Sequence, residues 1–253
     1  MSLEDRNIKV NDRPYQMCTN CIMDTTDSSI TFDEKGVCEY CQNYHNTILP
    51  NWHTDERGES HIMKVIEKIK KDGEGKDHDC LIGISGGLDS SYLVYLAKEK
   101  FGLRPLLFHV DAGWNSDIST HNIHSIVDNL GLDLYTEVVN WDEMKDLQLA
   151  FIKSQVRDID IPQDLVFFSS LYNFAAKNKF KYILTGGNFS TECVREPLEW
   201  GAYYQTDMTY INDIHRKFGK IPLTTFPTCD IFKYKILYRL INGVRVVKPL
   251  DHV

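Results

Sequence analysis

The chain has 253 residues, 42% hydrophobic and 25% charged, the balance of a globular protein able to bury a substantial core and carry small attachments. Its net charge of −8 argues against a general nucleic-acid binder, which carries a basic excess or stripe, while leaving room for a local basic patch. No apolar run approaches the roughly 20 residues of a membrane span and no secretory segment opens the chain, so a cytoplasmic location with no membrane partner is expected.

In chain order, residues 15–45 are rich in Cys, Thr, Asp and Ser and show no long apolar periodicity. Cys18-x2-Cys21 and Cys38-x2-Cys41 form two tight turns that can aim four sulfurs at one ion. In a reducing compartment this pattern points to metal rather than disulfides. A closed set of four thiolates predicts a structural Zn2+ that folds a stretch too polar to fold alone, with an iron–sulfur cluster or incidental thiols as the alternatives. Residues 1–50 are therefore read as a zinc knuckle. Residues 51–79 are read as a helical connector, with Ile62, Val65, Ile66 and Ile69 at helical spacing before a charged run to Asp79.

From Cys80 the texture changes. Cys80 to Ile84 is a continuous apolar run, as a strand buried on both faces requires, and Cys80 reads as core filler. A Gly-rich turn follows, then a helix carrying Leu93, Leu96 and Ala97 on one face. Pro105–Val110 reads as the next strand, Ile123, Ile126, Val127 and Leu130 mark a helix, and Leu134–Val139 a third strand. Helices fit 142–154 and 164–178, followed by the strand Tyr182–Thr185. Residues 193–228, with Trp200, Tyr203, Tyr204 and Tyr210, read as an irregular insertion over the site. A helix at 230–242 and a strand Val244–Val247 close the pattern. Alternation of this kind predicts an α/β domain over 80–253, a parallel sheet with helices on both faces and right-handed crossovers. The chain ends soon after a strand, and a further C-terminal segment is expected.

Ligands of such sheets bind beyond the C-terminal strand ends, here the loops 85–90, 111–117 and 186–192. Ser85-Gly86-Gly87-Leu88-Asp89-Ser90-Ser91 lies between a buried strand and a helix start. Its two glycines allow a sharp turn that exposes backbone N–H groups, and these join the helix N-terminus in attracting anionic oxygens. Ser85, Ser90 and Ser91 add hydroxyls. Asp89, an acid in a site built for anions, either caps the helix or holds Mg2+ against phosphates. The bland alternative is a capped strand-to-helix turn. In the second loop Asp111 is a candidate ribose or adenine contact, or a helix cap. In the third, Gly186 supplies flexibility and Glu192 is a candidate Mg2+ or substrate ligand. Lys248, with Lys233 and Lys235, is a candidate for neutralising phosphate charge. Cys193 and Cys229 read as inert thiols before reactive ones.

The loop resembles the Ser-Gly-Gly-x-Asp-Ser fingerprint of PP-loop ATP-pyrophosphatases and lacks the Gly-Lys-Ser/Thr of a Walker loop. The resemblance implies the adenine nucleotide alpha hydrolase-like (HUP-like) fold, with ATP bound by Ser85, Gly86, Gly87, Asp89, Ser90, Ser91, Asp111 and Gly186. It also implies cleavage between the α- and β-phosphates, with Asp89 and Glu192 on magnesium and Lys248 on the charge that develops. The strings Cys18-Thr-Asn-Cys21-Ile-Met-Asp-Thr-Thr, Cys38-x-Tyr-Cys41, His109-Val-Asp-Ala-Gly-Trp-Asn115, Thr185-Gly-Gly-Asn188, Glu199-Trp-Gly201 and Val247-Lys-Pro-Leu250 narrow this. Over residues 15–251 the chain is similar to the N-acetyl sugar amidotransferases (WbpG type) of surface-polysaccharide, lipopolysaccharide and nonulosonic acid biosynthesis, whose known members are longer. That resemblance implies adenylation of the acetamido carbonyl of a nucleotide-linked sugar and its conversion to an acetamidine. Ammonia would come from a separate glutaminase and synthase resembling HisH and HisF. Trp114, Trp200 and the tyrosines at 203–210 are candidate stacking partners for the base or sugar.

Two rivals differ in class. A tRNA thiolation enzyme shares fold, ATP and knuckle, but needs sulfur-handling cysteines where this chain reads Lys153-Ser-Gln-Val-Arg157. A non-catalytic nucleotide sensor has no use for Asp89 and Glu192.

Overall fold

The computed structural model describes residues 9–10, 13–192 and 206–253. A short antiparallel pair, β1 (Lys9–Val10) and β2 (Arg13–Pro14), opens it and leads into the cysteine segment and the helix α1 (Glu39–Asn43). α2 (Glu56–Asp72) begins where the Asp55 carboxylate accepts the Arg57 N–H and stops at Gly73. It buries Ile62, Ile66 and Ile69, three of the four residues its periodicity singles out.

The remaining elements are the strands of one parallel sheet and the helices that connect them. They are β3 (Cys80–Gly83), α3 (Leu88–Tyr95), β4 (Pro105–Asp111), α4 (Asp117–Leu130) and β5 (Asp133–Val138), then α5 (Trp141–Ser154), α6 (Ile161–Lys177) and β6 (Tyr182–Leu184). α7 (Phe189–Glu192), α8 (Met208–Phe218), a π-helical segment Lys233–Ile241 and β7 (Arg245–Val247) complete the order. The strands lie as β5-β4-β3-β6-β7, every neighbouring pair parallel. Ile82 at the centre faces Leu107 on one side and Leu184 on the other.

Side chains alternate across this sheet into two cores. Leu81, Phe108, Val110 and Ile183 pack with Met144, Leu147, Phe151, Leu165 and Val166 of α5 and α6. Cys80, Ile82, Leu107 and Leu184 pack with the isoleucines of α2, with Leu93 and Val94 of α3, and with Ile123 of α4. Cys80 is fully buried, as its position in the central strand predicts.

The chain runs from β3 outward to β4 and β5, then returns to the other side of β3 for β6. The crossovers therefore reverse between β3 and β6, and the loops leaving those two strands face each other across the crevice where open α/β sheets bind ligands.

Beyond shifts of a residue at element ends, the structure differs from the sequence expectation in three places. α6 starts at Ile161 rather than 164, because Pro162 occupies the first turn, where its missing N–H costs nothing. α8 lies inside the stretch read as irregular: Asp207 accepts the Thr209 and Tyr210 N–H groups, and Ile211 and Ile214 pack into the core. The last helix is a π-type turn over most of its length. Trp200, Tyr203, Tyr204, Cys193 and the Glu199-Trp-Gly201 string lie outside the described residues.

Candidate active site

The Ser85–Ser91 loop leaves the C-terminal end of β3 and enters α3 through Gly87, the N-cap residue, which offers no side chain to the helix end. Asp89 makes no capping bond there, so of its two sequence roles the helix cap is absent. The first-turn N–H groups of an eight-residue helix that runs on into a further π turn therefore remain available to an anion. Gly86 has φ +76°, and a Cβ on it would meet the Ser119 carbonyl oxygen at 2.3 Å. Only glycine lets the loop lie this close to the first turn of α4. Asn122 holds it there, its Nδ2 donating to the Gly86 carbonyl at 3.0 Å. The hydroxyls of Ser85 and Ser90 stand 3.2 Å apart inside the loop, and both Ser90 Oγ and Ser91 Oγ donate to the Gly87 carbonyl, at 3.2 and 2.6 Å.

The loop after β6 closes the other side of the crevice. A Cβ on Gly186 would lie 3.1 Å from the Asp89 carbonyl carbon and 3.2 Å from the Ser90 nitrogen. One on Gly187 would lie 2.8 Å from Glu192 Oε2 and 3.2 Å from Lys248 Nζ. Two successive glycines thus bring Asp89, Glu192 and Lys248, which lie far apart in sequence, to one rim. The loop is itself held: Asn188 Oδ1 accepts the Thr191 N–H, and the buried Asp251 carboxylate accepts the Phe189 N–H at 2.8 Å.

In front of these loops lies a cleft of about 800 Å³, walled by β3 and β4 and by the first turns of α4 and α6. This is room for a nucleotide together with a second substrate. Ser85, Glu192 and Trp114 line it. Trp114 is exposed and rests edge-on against Trp141, while Tyr210 packs against Phe151 in the core. Asp111 is placed differently from the expectation. Its Oδ1 accepts the Gly113 N–H at 2.9 Å, building the turn that carries Trp114, and it does not line the cleft. Lys233 and Lys235 do not line it either.

Two cleft residues escaped the sequence reading. His109 Nδ1 lies 3.0 Å from the Ile84 carbonyl, which can only accept, so in the neutral ring Nδ1 carries the proton and Nε2 accepts from Asn115 Nδ2 at 3.2 Å. Asp164, in the first turn of α6, has a carboxyl held above its usual range by burial, with the charges of Asp158 and Asp160 adding to the shift. The string Asp158-x-Asp160-x3-Asp164 is visible in sequence, but only the fold turns its last member into the cleft.

The four knuckle cysteines form a separate cluster with its own small core around Ile30. Their sulfurs all lie within 4.8 Å of one another, with Cys21 and Cys38 at 3.6 Å and Cys18 and Cys41 at 4.0 Å. A tetrahedral ion with metal–sulfur bonds of about 2.3 Å needs sulfurs roughly 3.8 Å apart, so one ion fits. In a four-iron cluster each cysteine binds a different iron, which requires a wider set. Backbone N–H groups of Asn20 and Cys38 point at Cys18 Sγ, and Asn20 Nδ2 donates to Cys41 Sγ at 3.2 Å. Burial opposes ionisation of Cys18, but N–H donation from Cys38, Asn20 and Cys21 outweighs it and brings the thiol down to about 6. Cys229 is fully buried, and burial pushes its thiol up to about 11, which disfavours the reactive thiolate.

No family model matches the chain. An uncharacterized protein of Methanocaldococcus jannaschii is 30% identical over 118 residues, covering 46% of this chain and 40% of that protein. A subunit of the glutamine-hydrolyzing GMP synthase of Methanosarcina barkeri is 37% identical over 76 residues, 30% of this chain and 24% of its own length. The chain thus spans less than half of each. The NH3-dependent NAD+ synthetase of Mycoplasma genitalium is 24% identical over 209 residues, 73% of each chain. Among solved structures, the U34-tRNA thiolase of Methanococcus maripaludis superposes with a TM-score of 0.41 at 15% identity, over 94% of this chain and 68% of its own. The NMN synthetase of Francisella tularensis does so at 0.41 and 16%, over 76% and 89%. Among the described residues no helix is long and apolar enough to cross a membrane. A five-stranded parallel sheet with a Ser-Gly-Gly-x-Asp-Ser loop at its switch point gives this chain the PP-loop type of fold.

Proposed function

We propose that this protein is an ATP-dependent, AMP-forming amidotransferase acting on the N-acetyl group of a nucleotide-linked sugar for surface polysaccharide or nonulosonic acid synthesis. The observation that carries the reading is the rim where Asp89, Glu192 and Lys248 meet an uncapped helix N-terminus, Glu192 also lining the cleft. Such a rim suits a departing pyrophosphate. The amide oxygen attacks the α-phosphorus and pyrophosphate leaves toward the loop amides and Lys248. Ammonia then adds to the activated carbon, and AMP departs with the former carbonyl oxygen, leaving an acetamidine. The adduct must lose a proton, and the Asp164 carboxylate is in place to take it. Asp89 and Glu192 would hold Mg2+, which supplies charge neutralisation on the phosphates. Cys18, Cys21, Cys38 and Cys41 would hold a structural Zn2+.

Two observations favour amide chemistry over tRNA thiolation. The relative matched across most of both chains is by name an ammonia-dependent synthetase. No cysteine is among the described residues lining the cleft. Ammonia from separate glutaminase and synthase subunits belongs to the same proposal, as does a cytoplasmic site of action.

The test is incubation with Mg-ATP, ammonium chloride and a panel of UDP-N-acetyl sugars and N-acetylated uronic acids, following AMP, pyrophosphate and product mass. Sugar-dependent AMP release with a product in which NH replaces oxygen supports the reading. AMP release stimulated by unmodified tRNA and a sulfur donor, and by no sugar, would sink it.

A further inference from the structure

Beside the switch point, α2 and the edge strand β7 enclose a groove of about 590 Å³ lined by His61, Lys64, Lys68, Arg245, Lys248 and His252. Lys64 and Lys68 are i,i+4 neighbours on α2, a like-charge pair that weakens an isolated helix. Arg245 opens β7 and Lys248 follows its last residue, roughly 10 Å further along an extended chain. Among the described residues none of these four cations makes an ion pair. Among the described residues of the groove wall the one carboxylate, Asp251, is buried and turned inward to the Phe189 N–H. Asp72 feels the charge of Lys68 but makes its contacts with the Tyr182 hydroxyl and Lys181, so the strip keeps a local positive excess on a chain of net charge −8, a feature that wants an anion.

The groove is also joined to the reaction site. Lys248 lines it and at the same time reaches the Gly187 rim, where Glu192 begins the main cleft. An anionic ligand lying along β7 therefore presents one end to the Gly187 turn, whose neighbour Gly186 packs on the Asp89–Ser90 backbone. The length of the cationic strip suits two linked phosphates rather than a polynucleotide, which would need basic surface over a much longer track.

We propose that this groove binds the diphosphate of a nucleoside diphosphate-linked substrate, with Lys64, Lys68 and Arg245 as specificity-determining residues and Lys248 at its junction with the ATP site. The inference rests on the sugar amidotransferase reading for the identity of the ligand, and on the groove alone for its charge.

The experiment titrates UDP by calorimetry into the full chain whose ATP site is saturated with α,β-methylene-ATP and Mg2+, and repeats this with the variant K64A/K68A/R245A and with Arg245→Gln alone. The proposal expects UDP binding that the triple variant weakens at least about tenfold, equivalent to about 1.4 kcal/mol. The single variant weakens it less, uridine does not compete, and affinity for the ATP analogue and the melting temperature are unchanged. Equal UDP affinity in wild type and triple variant, or no UDP binding in either, overturns it. So does loss of binding to unmodified tRNA in the triple variant without loss of UDP binding, which would make the groove an RNA surface. UDP binding here without amidine formation from any UDP-sugar would retain the groove and remove the sugar reading. Amidine formation with an unchanged KM in the triple variant would do the reverse.

Discussion

Replacing Gly86 by alanine tests how the Ser85–Ser91 loop is built. At φ +76° any other L-residue is strained by roughly 1–2 kcal/mol. The new Cβ would also sit 2.3 Å from the Ser119 carbonyl oxygen and 2.9 Å from its carbon, and these are backbone atoms that cannot rotate away. Either the loop or the first turn of α4 must then move, and the Asn122 bond to the Gly86 carbonyl, worth about 1 kcal/mol, is lost with it. The expected destabilisation is about 2–3 kcal/mol. For a chain of this size that lowers Tm by roughly 4–12 °C, at about 2–4 °C per kcal/mol. Displacing the loop amides by about 1 Å should weaken the hold on ATP on the order of 100-fold. Gly131→Ala is the matched control. Gly131 also has positive φ, at +58°, but nothing lies within 4 Å of its Cβ position, so the change carries the backbone strain alone. Urea unfolding gives the stability of each variant and calorimetry its ATP affinity. If G86A behaves like G131A in both, the close approach to Ser119 is not what demands glycine, and the account of the loop is wrong.

The other predictions concern the rim, the knuckle and acid stability. Glu192→Gln should raise the half-saturating Mg2+ for ATP turnover about tenfold or more, and an unchanged Mg2+ dependence would remove Glu192 from the ion. Metal analysis of the purified chain should give one zinc per molecule. Asn20→Ala, which removes an N–H donor to Cys41, should lower zinc affinity about 10–100-fold in a chelator competition. Burial works against ionisation of Glu143 and Asp146, but donation from Thr224 and Thr225 to the first, and from Ile221 and Lys220 to the second, holds both below the usual carboxylate range. Because their folded values are depressed, their stabilisation is present above the unfolded values of about 4 and is lost as pH falls through the folded ones. Urea stability should therefore drop below about pH 4, and Glu143→Gln should flatten that drop while weakening the protein at neutral pH.

Much of the fold is written in local pattern. The apolar run at Cys80, the helical spacing of Ile62, Ile66 and Ile69, and the glycines after β3 each reflect a constraint felt within a few residues: burial on both faces, one buried stripe, a turn that excludes Cβ. The Cys18–Cys41 spacing is legible for the same reason, since one ion must reach two tight turns. The sequence by itself therefore determines most element types, the glycine turn after β3 and the sulfur set. α8 stayed hidden because the buried Ile211 and Ile214 sit among aromatic and polar residues that blur the period. What tertiary structure alone decides is adjacency. The reversal between β3 and β6 sets the Gly186–Gly187 turn against Asp89 and brings Glu192 and Lys248 to one point. It also turns Asp111 to its own loop, points Asp164 into the cleft, and lines up Lys64 and Lys68 with Arg245 across a groove. None of these pairings has a period or a spacing in the chain, because they arise from which strands lie side by side, and strand order is set by the packing of whole layers.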